Sequence, residues 1–497
     1  MSSHAIGRWI RDRGRNTPDR VAIDHLGRRL TYGALDDRSE RLARSWLDSG
    51  LQPGDRVATL TSNTPEHVEA LFACAKAGLV LLPLSWRLSA LELAYQLDDA
   101  RPSLLLVEEE HDALADDALA AAAATPRRER LGDATSAAGP AVDVDVANDD
   151  PLLLVYTSGT TGRPKGALLT HGNCFWTNLS FDLTTGVSQE DVVLQVLPQF
   201  HCGGWNVQPL LAWWKGATVV LERAFDAEHC LDLIEAKRVT TMMGVPATYL
   251  FLSQSPRFGA ADLSSLSRAV VGGAPMPETL LETWQERGVE IIQGYGLTEA
   301  APNVLCLAPE DATRKQGFAG KPYPHVDVAL RDPDSGRLLD GAAVGELVVR
   351  GPNVFAGYWA DEEATRAAFA DGWLLTGDWA ERDEEGYYRI ADRLKDMYIS
   401  GGENVYPAEI EAVLFAHEAV LDAAVVGMPD ERWGESGVAF VVLADGADAT
   451  EQELIEHCRA SLARFKVPKL VRLVPELPRS GMNKVLKSEL KALLVAA

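Results

Sequence analysis

Apolar strand patterns and helical patterns take turns from about residue 31 to residue 107, and this alternation constrains the fold more than any other feature of the chain. Pro53-Gly-Asp55 leads into Arg56-Val-Ala-Thr-Leu60, which reads as a strand. A helix follows with Pro65 in its first turn, where a missing N–H costs nothing. Val80-Leu-Leu-Pro83 is the next strand, and a helix over Leu91 to Leu97 precedes Ser103-Leu-Leu-Leu-Val107. Continuous apolar strands joined by helices call for a parallel sheet covered on both faces. The pattern resumes at Leu152-Leu-Leu-Val-Tyr156 and runs to about residue 300.

The rest of the chain departs from this rhythm in three places. Residues 112–149 hold an alanine-rich helix, then Ala138-Gly-Pro140 and an acidic stretch, expected to form a surface connection. From 326 to 390 the pattern is β-like, with Gly345-Glu-Leu-Val-Val-Arg350 as a clear strand. The last hundred residues predict a small α+β domain: a helix from Pro407, strands at Val425-Val426 and Val438 to Leu443, and a helical face of Leu454, Ile455, Cys458 and Leu462. The expected fold class is α/β, with a large N-terminal domain (1–394) of parallel sheets and a β-rich part. A small mobile α+β domain (395–497) follows, the boundary falling near Ala391-Asp-Arg-Leu-Lys395.

Composition matters for what it excludes. With 47 basic and 72 acidic residues the net charge is −25, which repels a polyphosphate backbone and argues against nucleic-acid binding. Anionic substrates must therefore be met by local donors. The six cysteines, Cys74, Cys174, Cys202, Cys230, Cys306 and Cys458, form no CxxC pair, so neither a zinc site nor a disulfide framework is indicated. The N-terminus lacks the apolar core of a signal peptide, and the run Ala77–Leu84 is too short to span a bilayer, which takes ~20 residues. A cytoplasmic protein without a transmembrane segment is expected.

The strongest chemical signal is Tyr156-Thr-Ser-Gly-Thr-Thr-Gly-Arg-Pro-Lys-Gly166, directly after an apolar strand. Glycines let backbone approach a ligand, and successive N–H groups with hydroxyls form a nest for phosphate oxygens. The spacing is not GxxxxGK[ST], which excludes a Walker-type loop. The block resembles the phosphate-binding loop of the adenylate-forming superfamily, in its acyl-CoA synthetase or acid:CoA ligase branch. Further motifs of that family recur in the same order over nearly the whole chain.

This resemblance implies specific roles for residues in these motifs. Thr157, Ser158, Gly159, Thr160, Thr161 and Lys165 would contact the phosphates of ATP. Gly273, Ala274 and Pro275, which alone read as a turn after a strand, would wall the adenine and the acyl pocket. In Gln293-Gly-Tyr-Gly-Leu-Thr-Glu299, Tyr295, set between Gly294 and Gly296, would stack on adenine, Thr298 would bind the α-phosphate, and Glu299 would hold Mg²⁺. A carboxylate is the kind of hard oxygen ligand that Mg²⁺ prefers. Asp378 would accept from the ribose hydroxyls and Arg393 would make a second ribose or phosphate contact. Lys395 occupies the hinge position, and Gly401 and Gly402 would line a channel for coenzyme A. Lys484 would neutralise charge between carboxylate and α-phosphate; Asn483 stands before it where the family usually has glycine. In Pro198-Gln-Phe-His-Cys-Gly-Gly-Trp-Asn206, His201 would close over the carboxylate, with Trp205 and Asn206 lining the acyl pocket opposite Ala301, Pro302 and Asn303.

The implied reaction joins a small carboxylic acid to coenzyme A through an acyl-adenylate, with ATP and Mg²⁺. The bulk of Trp205 favours an aromatic or medium-length acid, with a long-chain fatty acid as the alternative. No fused carrier domain is expected in the short stretch after Lys484, which favours coenzyme A as acceptor, with a free carrier protein as the alternative. A non-catalytic nucleotide sensor is the reading from another class, and oligomeric state is not legible.

Overall fold

The computed structural model describes residues 5–133, 139, 141–157, 164–393, 396, 398–400, 403–405, 407–430, 433–462, 464–479 and 485–495. These residues form four sheets. The strands expected at 56–60, 80–83 and 103–107 are Arg56–Leu60, Val80–Leu84 and Leu104–Val107, paired in parallel with Arg56–Leu60 in the middle. They belong to a seven-stranded sheet that continues through Pro151–Thr157, Lys165–Thr170 and Gly357–Tyr358 on one side. Between the first two strands, helix Pro65–Ala77 starts under Thr64, whose side chain accepts from the His67 N–H, and stops at Gly78 in the left-handed region (φ 69°). Nearly every residue of this helix is buried, because it lies between layers.

The second large sheet has nine strands. Five neighbouring parallel strands, Ile291–Gly296, Arg268–Val271, Thr241–Gly244, Val192–Gln195 and Thr218–Leu221, make up its centre. Residues from both sheets and from helices Ile6–Asn16, Tyr32–Asp48, Pro65–Ala77 and His171–Thr185 share one apolar core. The β-like stretch becomes a six-stranded antiparallel sheet built around Ala343–Arg350 and Trp373–Arg382, and Leu330, Leu347, Val349 and Leu374 join it to the same core.

Residues beyond 397 build a five-stranded sheet and two apolar clusters of their own, one around Val425, Val441, Leu454 and Cys458, the other around Val426, Phe440 and Leu490. The strand expected at Val425-Val426 is longer, Val420–Asp430. One expectation needs correcting. The stretch 112–149 is more than a surface connection, since Arg127–Arg130 adds a parallel edge strand to Leu104–Val107. Its arginines are held by the preceding helix: Asp112 pairs with Arg128 at 2.5 Å and with Arg130 at 2.8 Å. Charges on an edge strand discourage pairing with another chain. Among the described residues no helix is long and apolar enough to cross a membrane.

Candidate active site

Three of the motifs leave the nine-stranded sheet at the carboxyl ends of its parallel strands, after Gln195, Val271 and Gly296. Open parallel sheets bind ligands at such ends. The turn after Val271 exposes Gly273, Ala274 and Pro275, and Gly273 takes a positive φ of 84°. After Gly296 the chain makes a short 3₁₀ turn, Thr298–Ala300, closed by the Leu297 N–H donating to the Pro302 carbonyl at 3.0 Å. Gly296 has to be glycine there, because a Cβ would stand 1.9 Å from the Pro302 oxygen.

Glu299 sits on this turn, partly buried and held at two points. Its carbonyl accepts from the Phe355 N–H at 2.8 Å, and its carboxylate Oε1 accepts from the Tyr358 hydroxyl at 2.8 Å. Burial and the neighbouring Glu299 charge both push the Tyr358 phenol well above its usual range, so it stays a donor. Among the described residues no cationic side chain pairs with Glu299. Lys165 comes near but lies over the Tyr358 ring, its Nζ 5.2 Å from the centroid.

Lys165 also marks one foot of the hydroxyl-rich loop. Strands Pro151–Thr157 and Lys165–Thr170 are antiparallel neighbours, with Thr157 directly opposite Lys165 and its hydroxyl donating to the Lys165 carbonyl at 3.5 Å. Helix Ala90–Ala100 braces both feet: Tyr95 donates to the Pro164 carbonyl at 3.1 Å, and Tyr156 donates to Asp99 at 2.5 Å. Ser158, Gly159, Thr160 and Thr161 lie outside the described residues, as do Lys395, Gly401, Gly402 and Lys484.

The expected ribose residues Asp378 and Arg393 lie on neighbouring strands of the six-stranded sheet, and Tyr295 reaches Asp378 from the nine-stranded one. Asp378 is buried on strand Trp373–Arg382 and accepts from the Tyr295 hydroxyl, while its own N–H donates to Thr376 Oγ1 at 3.1 Å. Arg393 stands directly opposite Asp378 on the antiparallel strand Tyr388–Arg393. Tyr295 itself pairs with Leu305, which turns Gly294 and Gly296 along the same edge.

The acyl side differs. His201 packs edge-on to Phe200, the centroids 4.5 Å apart. Burial raises the thiol pKa of its neighbour Cys202, and the charge of Glu299 adds to that rise, so this segment lies within reach of the Glu299 turn. Trp205 is fully buried and stands edge-on to His67 at 4.9 Å. Asn206, also fully buried, accepts from Asn178 at 3.1 Å and points its amide at the sulfurs of Cys174 (3.4 Å) and Cys202 (3.6 Å). Ala301 and Asn303 are buried as well, and the Asn303 carbonyl accepts from Asn353 at 2.9 Å. Of the residues expected to line an acyl pocket, Trp205, Asn206, Ala301 and Asn303 are buried in this conformation, and Pro302 is partly exposed.

Tyr358 and Phe355 escaped sequence reasoning. The available signal was Ala356-Gly-Tyr-Trp359, a tyrosine after glycine like Gly294-Tyr295, but it stands 59 residues beyond the carboxylate it touches.

The sequence profile of AMP-binding enzymes matches residues 10–359, and that of the AMP-binding enzyme C-terminal domain matches 409–484. A feruloyl-CoA synthase of Amycolatopsis sp is 44% identical over 491 residues, covering 99% of both chains. The long-chain-fatty-acid–CoA ligase FadD13 of Mycobacterium tuberculosis is 39% identical, covering 93% of both. The solved structure of O-succinylbenzoate coenzyme A synthetase from Bacillus subtilis, in complex with ATP and magnesium ion, superposes with a TM-score of 0.87 at 32% identity, covering 97% of this chain and 99% of that one.

Proposed function

The chain belongs to the AMP-binding enzyme family, and from that premise we propose that it activates an aromatic carboxylic acid at the residues gathered around Glu299. Its fold is that of the adenylate-forming enzymes, and it is an AMP-forming acid:CoA ligase. The aromatic preference draws support from the feruloyl-CoA synthase, which matches more of this chain at higher identity than the fatty-acid ligase does. The observation that carries the reading of the site is the convergence of Glu299, Lys165 and the Tyr295–Asp378 pair beside the carboxyl ends of parallel strands.

A carboxylate is a poor acyl donor because its charge opposes nucleophilic attack. Activation forms a bond from the acid's oxygen to the α-phosphorus of ATP and breaks the bond to pyrophosphate. A thiol, that of coenzyme A, then attacks the acyl carbon and releases AMP. Asp378 receives the ribose hydroxyls and Arg393 sits across the strand to join it. Thr157 and Lys165, with Ser158, Gly159, Thr160 and Thr161 between them, receive the phosphates, and Tyr295 offers adenine a ring face between Gly294 and Gly296, beside Gly273, Ala274 and Pro275.

Glu299 suits a hard divalent cation: it is partly buried, unpaired with any cationic side chain among the described residues, and offers carboxylate oxygen. Mg²⁺ held by Glu299, with Thr298 beside it on the α-phosphate, would supply positive charge against the triphosphate. Lys484 places an ammonium between the carboxylate and the α-phosphorus, where preorganised charge acts most strongly. His201 closes the acid side, and Trp205, Asn206, Ala301, Pro302 and Asn303 shape the acyl end after repacking. The part from Lys395 onward turns about that residue so that Gly401 and Gly402 replace Lys484 at the site for the thiol step.

A pyrophosphate-release screen over aromatic, medium-chain and long-chain acids, with and without coenzyme A, tests this reading. Aromatic acids should give the highest kcat/KM, and thioester should form only when coenzyme A is present. A preference for long-chain acids would replace the substrate assignment, and release without any thioester would point to another acceptor.

A further inference from the structure

Tyr358 touches two of the functional groups at once, although no motif marked it. Its hydroxyl donates to Glu299 Oε1 at 2.8 Å, and its ring lies under the Lys165 ammonium at 5.2 Å. The tyrosine is itself firmly placed. Gly357–Tyr358 pairs with strand Lys165–Thr170, Tyr358 opposite Ala167, and the Trp359 N–H donates to the Gly166 carbonyl at 2.7 Å. The Tyr358 N–H donates to Thr365 Oγ1 at 2.9 Å, and its ring stands edge-on to Phe355 at 4.9 Å. Phe355 in turn donates its N–H to the Glu299 carbonyl at 2.8 Å. The segment 355–359 thus straps the turn that carries Glu299 to the strand that carries Lys165.

Each contact has a chemical consequence. A phenol that donates to one carboxylate oxygen fixes the rotation of the carboxylate and leaves the second oxygen as the outward ligand. Lys165, only one ring away, would otherwise find the nearby carboxylate an attractive partner; the ring face offers its ammonium a weaker seat. A lysine seated on an aromatic ring can leave for a phosphate at small cost, whereas a buried ion pair would have to be broken.

We propose that Tyr358 is a positioning residue that presents Glu299 to the divalent cation through one oxygen and keeps Lys165 off Glu299 until ATP arrives. The proposal rests on the reading of Glu299 as the cation ligand. Groups that orient a metal ligand typically change metal affinity by about 10–100-fold when removed.

The test uses the full chain and Mn²⁺ as the probe, its binding in the presence of ATP followed by electron paramagnetic resonance. Tyr358→Phe keeps the ring and removes the hydroxyl, and should weaken Mn²⁺ binding about tenfold. Its Mg²⁺ activation constant for pyrophosphate release should rise by a similar factor, more than kcat falls. In a Glu299→Gln background the same substitution should add nothing, since the donor's partner has already been altered. Tyr358→Leu removes the ring as well, and should weaken ATP binding roughly threefold beyond the Phe variant, the scale of one exposed cation–π contact.

Unchanged Mn²⁺ affinity in a Tyr358→Phe protein that melts normally would overturn the proposal, and so would full additivity with Glu299→Gln. Equal ATP affinity in the Phe and Leu variants would overturn the lysine half. If Glu299→Gln alone leaves Mn²⁺ binding intact, the reading of Glu299 fails first. If Glu299→Gln weakens binding and Tyr358→Phe does not, only the present proposal falls.

Discussion

On the phosphate side the Tyr295 and Tyr358 hydroxyls donate hydrogen bonds to Asp378 and Glu299, so each carboxylate is oriented by a phenol. On the acyl side the polar atoms are enclosed instead. Trp205 Nε1, both amide atoms of Gln199 and Nδ1 of His67 are buried with no protein group in hydrogen-bond reach among the described residues. A buried polar atom without a partner costs about 1–3 kcal/mol, so around Trp205, Gln199 and His67 the packing of rings must offset these atoms. The difference divides the roles. Substitutions on the acyl side should be felt first as volume, and those on the phosphate side first as charge.

The largest effect expected from this division is on stability. Trp205→Ala empties the space of a fully buried indole that packs against His67, and should cost about 3–5 kcal/mol, read as a shift in the urea midpoint. Its acid preference should widen towards bulkier acids in the same preparation. A loss below about 1 kcal/mol would mean that the region is not a packed core, and the contrast between the two sides would collapse.

Lys484→Ala tests the other side. Acid-dependent pyrophosphate release should fall roughly 10²-fold, the scale of one preorganised electrostatic contact, while the urea midpoint stays in place. Synthetic acyl-AMP should still be converted to thioester by this variant. If adenylation is normal, Lys484 is not the charge that acts there, and Asn483 before it marks a real departure from the family.

How much of this was legible in the sequence obeys the same physical division. Continuous apolar runs with helical patterns between them gave the parallel strands, because burial on both faces leaves an unmistakable composition. Asp378 and Arg393 were each named from motifs, but their direct opposition depends on strand register, which no single segment encodes. Strand Arg127–Arg130 was missed because its side chains are all charged; it is held by Asp112 and Asp116, residues of the helix before it. Tyr358 was missed because its role depends on Glu299, distant in sequence. Trp205 was assigned to the acyl pocket from its place in a family-like motif, and its full burial against His67 depends on packing that no motif encodes.

The smallest expected effect concerns pH and comes from His67. Burial pushes its pKa down to about 3, although the charge of Glu108 partly opposes the fall, and its Nε2 lies 3.0 Å from the Thr59 hydroxyl. The folded protein therefore keeps this ring neutral where the unfolded chain, with a pKa near 6.5, takes up a proton. Above about pH 6.5 the difference has no effect; as pH falls from there towards about 3, the unfolded state gains protons that the native state refuses, and stability is lost. His171, also near 3 through burial, works in the same direction. The Tyr358 phenol, pushed upwards, adds nothing in this window. Glu69, which burial pushes up to about 7, works against the two histidines in this window, so the sign is read from a difference. Between pH 7.5 and 5.5 the urea midpoint of the wild type should lose more than that of His67→Gln, by the equivalent of about 1 kcal/mol. The comparison of slopes cancels whatever the substitution costs at both pH values. Identical slopes would mean that His67 takes up its proton as readily in the folded protein as in the unfolded chain, so that burial does not hold it neutral. The acyl side would then admit a charge as well, and its contrast with the phosphate side would narrow.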